Sequence, residues 1–316
     1  MAQLTYLQLT NRVLQRITQP EVSTVIGITG QGKLIAEFIN QAQNELWTET
    51  TNWYTLFKQR NFKTVLYTAA TIAFNNAAPA TITDSANGFG NFQSGMTILV
   101  NGTTGAVNDG TYVVTTAAVG TLTLQTADSL TAQIAGPNVT IYALSYAVAS
   151  DFGRAYHLVD YTNNRILTED VLRAFSEDDP LMTATNNPTH YCMQGNFYRM
   201  YFIPSGVFTM IDRYWSVPTT LVNDADLYSL PLFCENFIIE WSYMKILEYM
   251  NKYDTADRVR ASLYGNPTKP SIKGILEKCL MANKKVMDTM IRFGPHYGAS
   301  PVSAPRFPSH YDSRYS

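Results

Sequence analysis

The chain has 316 residues, enough for one large domain or two to three ordinary ones, each with its own core. Hydrophobic residues make up 46% and charged residues only 15%, against about 25% in ordinary soluble proteins, while Tyr and Phe number 20 and 15. The net charge of −2 excludes the global basic footprint of a nucleic-acid binder and leaves a charge-poor, aromatic-rich surface suited to being covered by a partner. Along the chain, Leu4, Leu7, Leu14 and Ile17 carry an approximate helical stripe that ends before Pro20. Leu34, Ile35, Phe38, Ile39, Ala42 and Leu46 then predict a helix over 33–50.

Between Lys63 and Arg154 there is no Lys or Arg, and the only acids are Asp84, Asp109, Asp128 and Asp151. This stretch reads as short alternating strands (TITD, MTILVNGT, NDGTYVVTTA, GTLTLQTA, NVTIYA), with Asn87-Gly88 and Asn108-Asp109-Gly110 supplying positive-φ turn residues. It predicts an all-β barrel or sandwich of five or six strands over 70–146. Downstream, 168–175 reads as a short helix capped by Thr168 with Glu169 and Asp170 in its first turn. Strand-like runs follow at 190–193, 197–203 and 207–217. Pro231 opens a long helix to about Met250, a shorter one covers 255–264 before Gly265 and Pro267, and a last one runs over 271–293 to Gly294-Pro295. The fold class expected is α+β: a discontinuous helical host (1–69 and 147–293) with a small antiparallel sheet, interrupted by the β insert, and an extended C-terminal arm over 294–316. Insertion of a domain into a surface loop is tolerated because closure entropy grows slowly with loop length. Extended at about 3.3 Å per residue, the arm reaches roughly 75 Å.

No apolar run reaches the roughly 18 residues that span a bilayer; the nearest, 237–250, is interrupted by Glu240, Lys245 and Glu248. The N-terminus MAQLTYLQLTNR lacks the basic and apolar regions of a secretory signal. Cys192, Cys234 and Cys279 show no CxxC spacing and read as core thiols of a reducing compartment. The segment from Gly27 to Lys33 satisfies GxxxxGK, yet Leu34 stands where a phosphate loop places its magnesium-binding hydroxyl, so a glycine loop before a helix is the better reading. His157, His190, His296 and His310 have no metal-ligand spacing. The acidic groups Glu177, Asp178, Asp179 and Asp224, Asp226 read as solvated turns. Trp47, Trp53 and Tyr54 read as packing at a helix end rather than a carbohydrate platform. The sequence therefore predicts no catalytic residue, cofactor or metal.

LTYLQLTNRVLQRI, then KLIAEFINQAQNELW and NWYTLF, resemble the start of the head-to-tail adaptor proteins of tailed bacteriophages, including the tubular tail proteins beneath the portal of short-tailed phages. Asp151-Phe-Gly-Arg154, Pro188-Thr-His-Tyr191, Arg213-Tyr-Trp-Ser-Val-Pro218 and Leu230-Pro231 before a long helix fit the same pattern, and the β block resembles modules grafted into phage structural proteins. At the second helix Asn40, Gln41, Gln43 and Asn44 replace charged positions of the family. The resemblance implies a virion protein of the neck, assembled in the host cytoplasm. It would form a homo-oligomeric ring, commonly of twelve copies, docked on the portal protein and continuing the DNA channel toward a downstream tail or nozzle protein and tail fibres. DNA would pass without specific binding. On this reading Tyr297, Phe307, Tyr311 and Tyr315 are the arm's apolar anchors on the portal and Arg306 and Arg314 its charged contacts. The alternative is another tail component, a terminator or fibre-anchoring protein, with the β insert as docking surface.

Overall fold

The computed structural model describes residues 3–50, 52–179, 183–265 and 273–293, without the side chains of 178 and 290–293. The C-terminal arm, with Tyr297, Arg306, Phe307, Tyr311, Arg314 and Tyr315, lies outside the described residues, as do His296, His310, Ser271 and Ile272. The architecture is α+β. Its helices are α1 (Tyr6–Arg16), α2 (Gly30–Glu49), α3 (Leu172–Asp178), α4 (Glu235–Tyr249), α5 (Tyr253–Tyr264) and α6 (Ile275–Phe293). Its strands are β1 (Phe57–Lys63), β2 (Leu66–Ala69), β3 (Ile72–Asn75), β4 (Thr81–Asp84), β5 (Thr97–Asn101), β6 (Gly110–Ala118), β7 (Thr121–Leu124), β8 (Val139–Ala143), β9 (Ser145–Ala147), β10 (Phe152–Asp160), β11 (Arg165–Ile166), β12 (Thr168–Glu169), β13 (Thr185–Asn186), β14 (His190–Gln194), β15 (Phe197–Tyr201), β16 (Ile203–Pro204) and β17 (Thr209–Ser216).

α1 starts where Thr5 and Gln8 form a reciprocal capping box, which satisfies two otherwise orphaned amides and stabilises the helix by ~1 kcal/mol. α2 begins at Gly30, three residues before the expected start, and buries Ile35, Ile39, Ala42 and Leu46 on one stripe. α4 buries Phe237, Ile238, Ile239, Trp241, Met244, Ile246 and Leu247, so it is apolar on nearly every side. Such a helix must be central, and α1, α2, α5 and α6 all pack against it or its neighbours. Asn40 fastens the 218–230 loop to this layer: its side chain donates to the Leu221 carbonyl (3.0 Å) and accepts from the Leu221 amide (2.8 Å).

Seven antiparallel strands form one sheet in the order β2-β8-β5-β6-β7-β4-β3. Its two edge strands are consecutive in sequence, joined across Ala70 and Thr71, so the sheet must curl until its edges meet at that corner. It occupies 66–143 and has one or two strands more than expected, because β2 and β3 are four-residue strands without a strong apolar run. Asn87 does take a positive φ of 59°, whereas Asp109 serves its turn as an acceptor for Gly102, Thr103 and the Thr103 hydroxyl. The remaining strands form the sheets β1-β17-β10-β11 and β12-β14-β15-β9 and the pair β13-β16. A single apolar cluster runs from Ile72, Phe89 and Ile98 of the curled region through Tyr146 to Tyr191, Tyr198 and Met210. A second fills the helical layer and includes Trp53, Leu56 and Trp215.

One expected element is corrected. Thr168 does not cap a helix: Thr168 and Glu169 form β12, parallel to His190 and Tyr191, and α3 starts only at Leu172 with Val171 as its cap. The Thr168 amide donates to Thr189 (3.1 Å) and the Asp170 amide to Tyr191 (2.8 Å), so sheet pairing takes the amides that a first helical turn would have left free.

Candidate functional site: a cationic sheet face and the cleft beside it

Strand alternation in β1, β17 and β10 sends two different sets of side chains to the two faces of their sheet. The register pairs Arg60 with Asp212 and Phe62 with Met210 on the inner face, and Gln59 with Arg213, Asn61 with Ile211 and Lys63 with Thr209 on the outer. On β10, Leu158 and Asp160 are buried, while Arg154, His157 and Val159 lie opposite Trp215, Arg213 and Ile211 on the outer face. Irregularities between 152 and 154 and between 155 and 157 let Arg154 and His157 share that face with Tyr156 between them.

On the inner face Asp212 is fully buried and accepts from the Tyr198 hydroxyl (2.7 Å) and from Arg60 (3.3 Å). Arg60 also donates to the Ala147 carbonyl (2.8 Å) and lies over the Phe62 ring. Burial pushes the Asp212 carboxyl up despite these two donors, and burial followed by the Asp212 charge pushes the Tyr198 hydroxyl up. The trio thus ties β1, β15, β17 and β9 together. Beside it a cleft of about 320 Å³ opens between β1 and the 90–96 loop, lined by Arg60, Lys63, Asn91, Gln93 and Tyr146 among others. On the outer face Arg213 donates to Gln59 (3.3 Å), and burial and then the Arg213 charge hold His157 below its ordinary value. Phe57, Tyr156 and Trp215 form an edge-to-face aromatic cluster at the end of the sheet nearest the helical layer.

The other residues singled out from sequence are not brought together. Gly30, Gly32 and Lys33 are in α2 itself, and Lys33 is exposed and faces Glu37 at 3.8 Å, one turn on. Gly27 and Gly30 have φ of 71° and 65°, which explains two glycines by backbone alone. His190 shares a hydrogen bond with Thr189 (2.9 Å). Glu177 pairs with Arg173, Asp179 accepts from the Ala184 amide, Asp224 from the Val25 amide, and Asp226 from Val222 and Asn223. Among the described residues no three of His, Cys, Asp and Glu converge as a metal-holding group. Trp53 is fully buried, so it offers no sugar platform. The three cysteines are buried and free. Cys234 and Cys279 lie together, their mutual hydrogen bond and then burial pushing the Cys234 thiol up. Sequence reasoning missed the outer face altogether, since its cations come from three strands far apart in the chain. A scan against models of known protein families finds no match, and a search of curated proteins finds none. Among the described residues, no helix is long and apolar enough to cross a membrane.

Proposed function

We propose that this chain is a structural virion protein whose ring joins the capsid portal to the tail of a bacteriophage and continues the DNA channel. The observation that carries the reading is the helical core. The segments that resemble adaptor proteins, separated in sequence by the curled sheet, pack as one unit: Tyr6, Leu9 and Val13 of α1, Ile39 and Leu46 of α2, Trp53, Trp215, Leu230 and Phe237. In this reading residues 1–69 and 147–293 are the adaptor host and 70–146 is the insert. A ring uses heterologous interfaces, so each copy must cover two different patches, which suits a chain with so few surface charges. The portal lies on one side, a tail or nozzle protein on the other, and DNA passes through the ring without specific binding.

The C-terminal arm is assigned to the portal, through Tyr297, Phe307, Tyr311 and Tyr315 as anchors and Arg306 and Arg314 as charged contacts. Deleting 295–316 is expected to leave a folded protein that no longer joins DNA-filled heads, read by co-sedimentation. Attachment unchanged by the deletion would overturn the assignment. A second reading, a fibre-anchoring tail component, draws on Ile134, Val119 and Val107 of the curled region, which are 88%, 60% and 55% exposed and offer apolar docking points there.

A further inference from the structure

The outer face of the β1-β17-β10-β11 sheet carries Arg154 and Arg213, and Lys63 stands at the end of its edge strand β1, where it also borders the cleft. The two carboxylates that these four strands contribute, Asp160 and Asp212, are both buried on the opposite face. Among the described residues none of the three cations joins an ion pair. Between them lie aliphatic side chains, Val159 and Ile211 half-buried and Ile166 57% exposed. Cations around an aliphatic centre suit an acidic protein surface with an apolar tip better than a phosphate backbone, which offers nothing for Val159, Ile211 and Ile166 to bury.

This chain itself carries such a surface. Residues 169–179 hold five of its 25 acids, Glu169, Asp170, Glu177, Asp178 and Asp179, against one cation, Arg173, already tied to Glu177 at 2.7 Å. At its start Glu169 and Asp170 are exposed and, among the described residues, join no ion pair, and Val171 beside them is 64% exposed. We propose that the 169–171 corner of one copy seats on the outer sheet face of the next, with Val171 against Ile211, Val159 and Ile166, and with Glu169 and Asp170 facing Lys63, Arg154 and Arg213. The inference rests on the ring reading and names its contact. The patches differ, so the contact is head-to-tail and each copy keeps one of each free for the next.

The test is sedimentation velocity of the full chain over a concentration series at low salt. Wild-type protein is expected to associate, and the association to weaken as salt is raised. Lys63→Glu/Arg154→Glu and Glu169→Lys/Asp170→Lys, all at exposed positions, are each expected to weaken association by about tenfold or more. Mixing the two variants is expected to restore it, because each presents the patch the other can bind, and restoration also shows both to be folded. A wild type that stays monomeric, a reversal without effect, or a mixture that fails to associate would each overturn the proposal. So would a DNA duplex that binds wild type and is lost from Lys63→Glu/Arg154→Glu, which would give the face to a polyanion. Separately, imaging the chain on portal rings tests the ring itself. A coaxial ring with unaffected charge reversals removes only this contact, whereas charge-swapped association without portal binding removes only the adaptor reading.

Discussion

Trp53→Ala is expected to destabilise the protein by about 4 kcal/mol, the largest single-residue effect in the helical layer. The indole is fully buried, its ring centroid 6.4 Å from that of Phe233, and its Nε1 donates to the Leu46 carbonyl at 3.1 Å. It therefore joins the end of α2 to the turn before α4. Truncation removes a large apolar volume and leaves a cavity between helices that cannot collapse onto it, since the chain continues directly into β1. The lost hydrogen bond adds little, because the Leu46 carbonyl also accepts from the Thr50 amide. Trp53→Phe, which keeps most of the volume, is expected to cost well under half as much. Urea unfolding monitored by circular dichroism reads both values. A loss below ~1.5 kcal/mol for the alanine variant would mean that Trp53 is not a central strut of this core.

In the curled sheet the corresponding loss is expected at Asp84. This buried carboxylate accepts from the Tyr67 hydroxyl (2.9 Å), the Thr71 hydroxyl, the Ala86 amide (3.1 Å) and the Gly88 amide (2.6 Å). It thereby closes the corner at which the two sheet edges meet. Asp84→Ala is expected to cost about 3 kcal/mol, since charge-assisted hydrogen bonds are worth roughly 1.5–3 each and some freed donors reach water. Burial acts to raise the Asp84 carboxyl, but the four donors outweigh it and hold the carboxyl below its ordinary value. A depressed carboxylate stabilises the fold above the unfolded value, about 3.9, and the contribution is lost as pH falls through the folded value. Wild type is therefore expected to lose stability below about pH 4, and Asp84→Asn to lose less over that window. Thermal melts of both proteins between neutral and acidic pH check the sign; an identical acid slope would remove Asp84 from this role.

The helical layer was legible because its signals are local. Thr5 with Gln8 marks the start of α1, the stripe from Ile35 to Leu46 defines α2, and Pro231 precedes a helix rich in large apolar residues. The hairpin of β14 and β15 was legible for the same reason. β1 and β10 were not. β1 reads FKQRNFK, an edge strand whose two apolar residues, Phe57 and Phe62, fall on opposite faces and show no period, and β10 has two irregularities that break alternation around Gly153 and Tyr156. Since the candidate face is made of these two strands with β17, it had no sequence signature at all. Its cations sit in three separate segments and meet only through strand pairing. Likewise, Thr168 obeys a capping preference worth ~1 kcal/mol that parallel pairing with β14 overrides.

The proposed head-to-tail contact needs few charges, because the pairing of β1, β17 and β10 gathers them. Lys63, Arg154 and Arg213 are displayed by a rigid sheet whose inner face is fixed through Arg60, Asp212 and Tyr198. Cations on a sheet held this way need little ordering when a partner arrives.

The most direct test of the adaptor reading is electron cryo-microscopy of the purified chain mixed with portal rings or tailless heads. The reading predicts a ring of density stacked coaxially on the portal, the helical layer forming its body and the C-terminal arm reaching onto the portal. Density at the periphery of the tail, or a chain that never joins the portal, would contradict it.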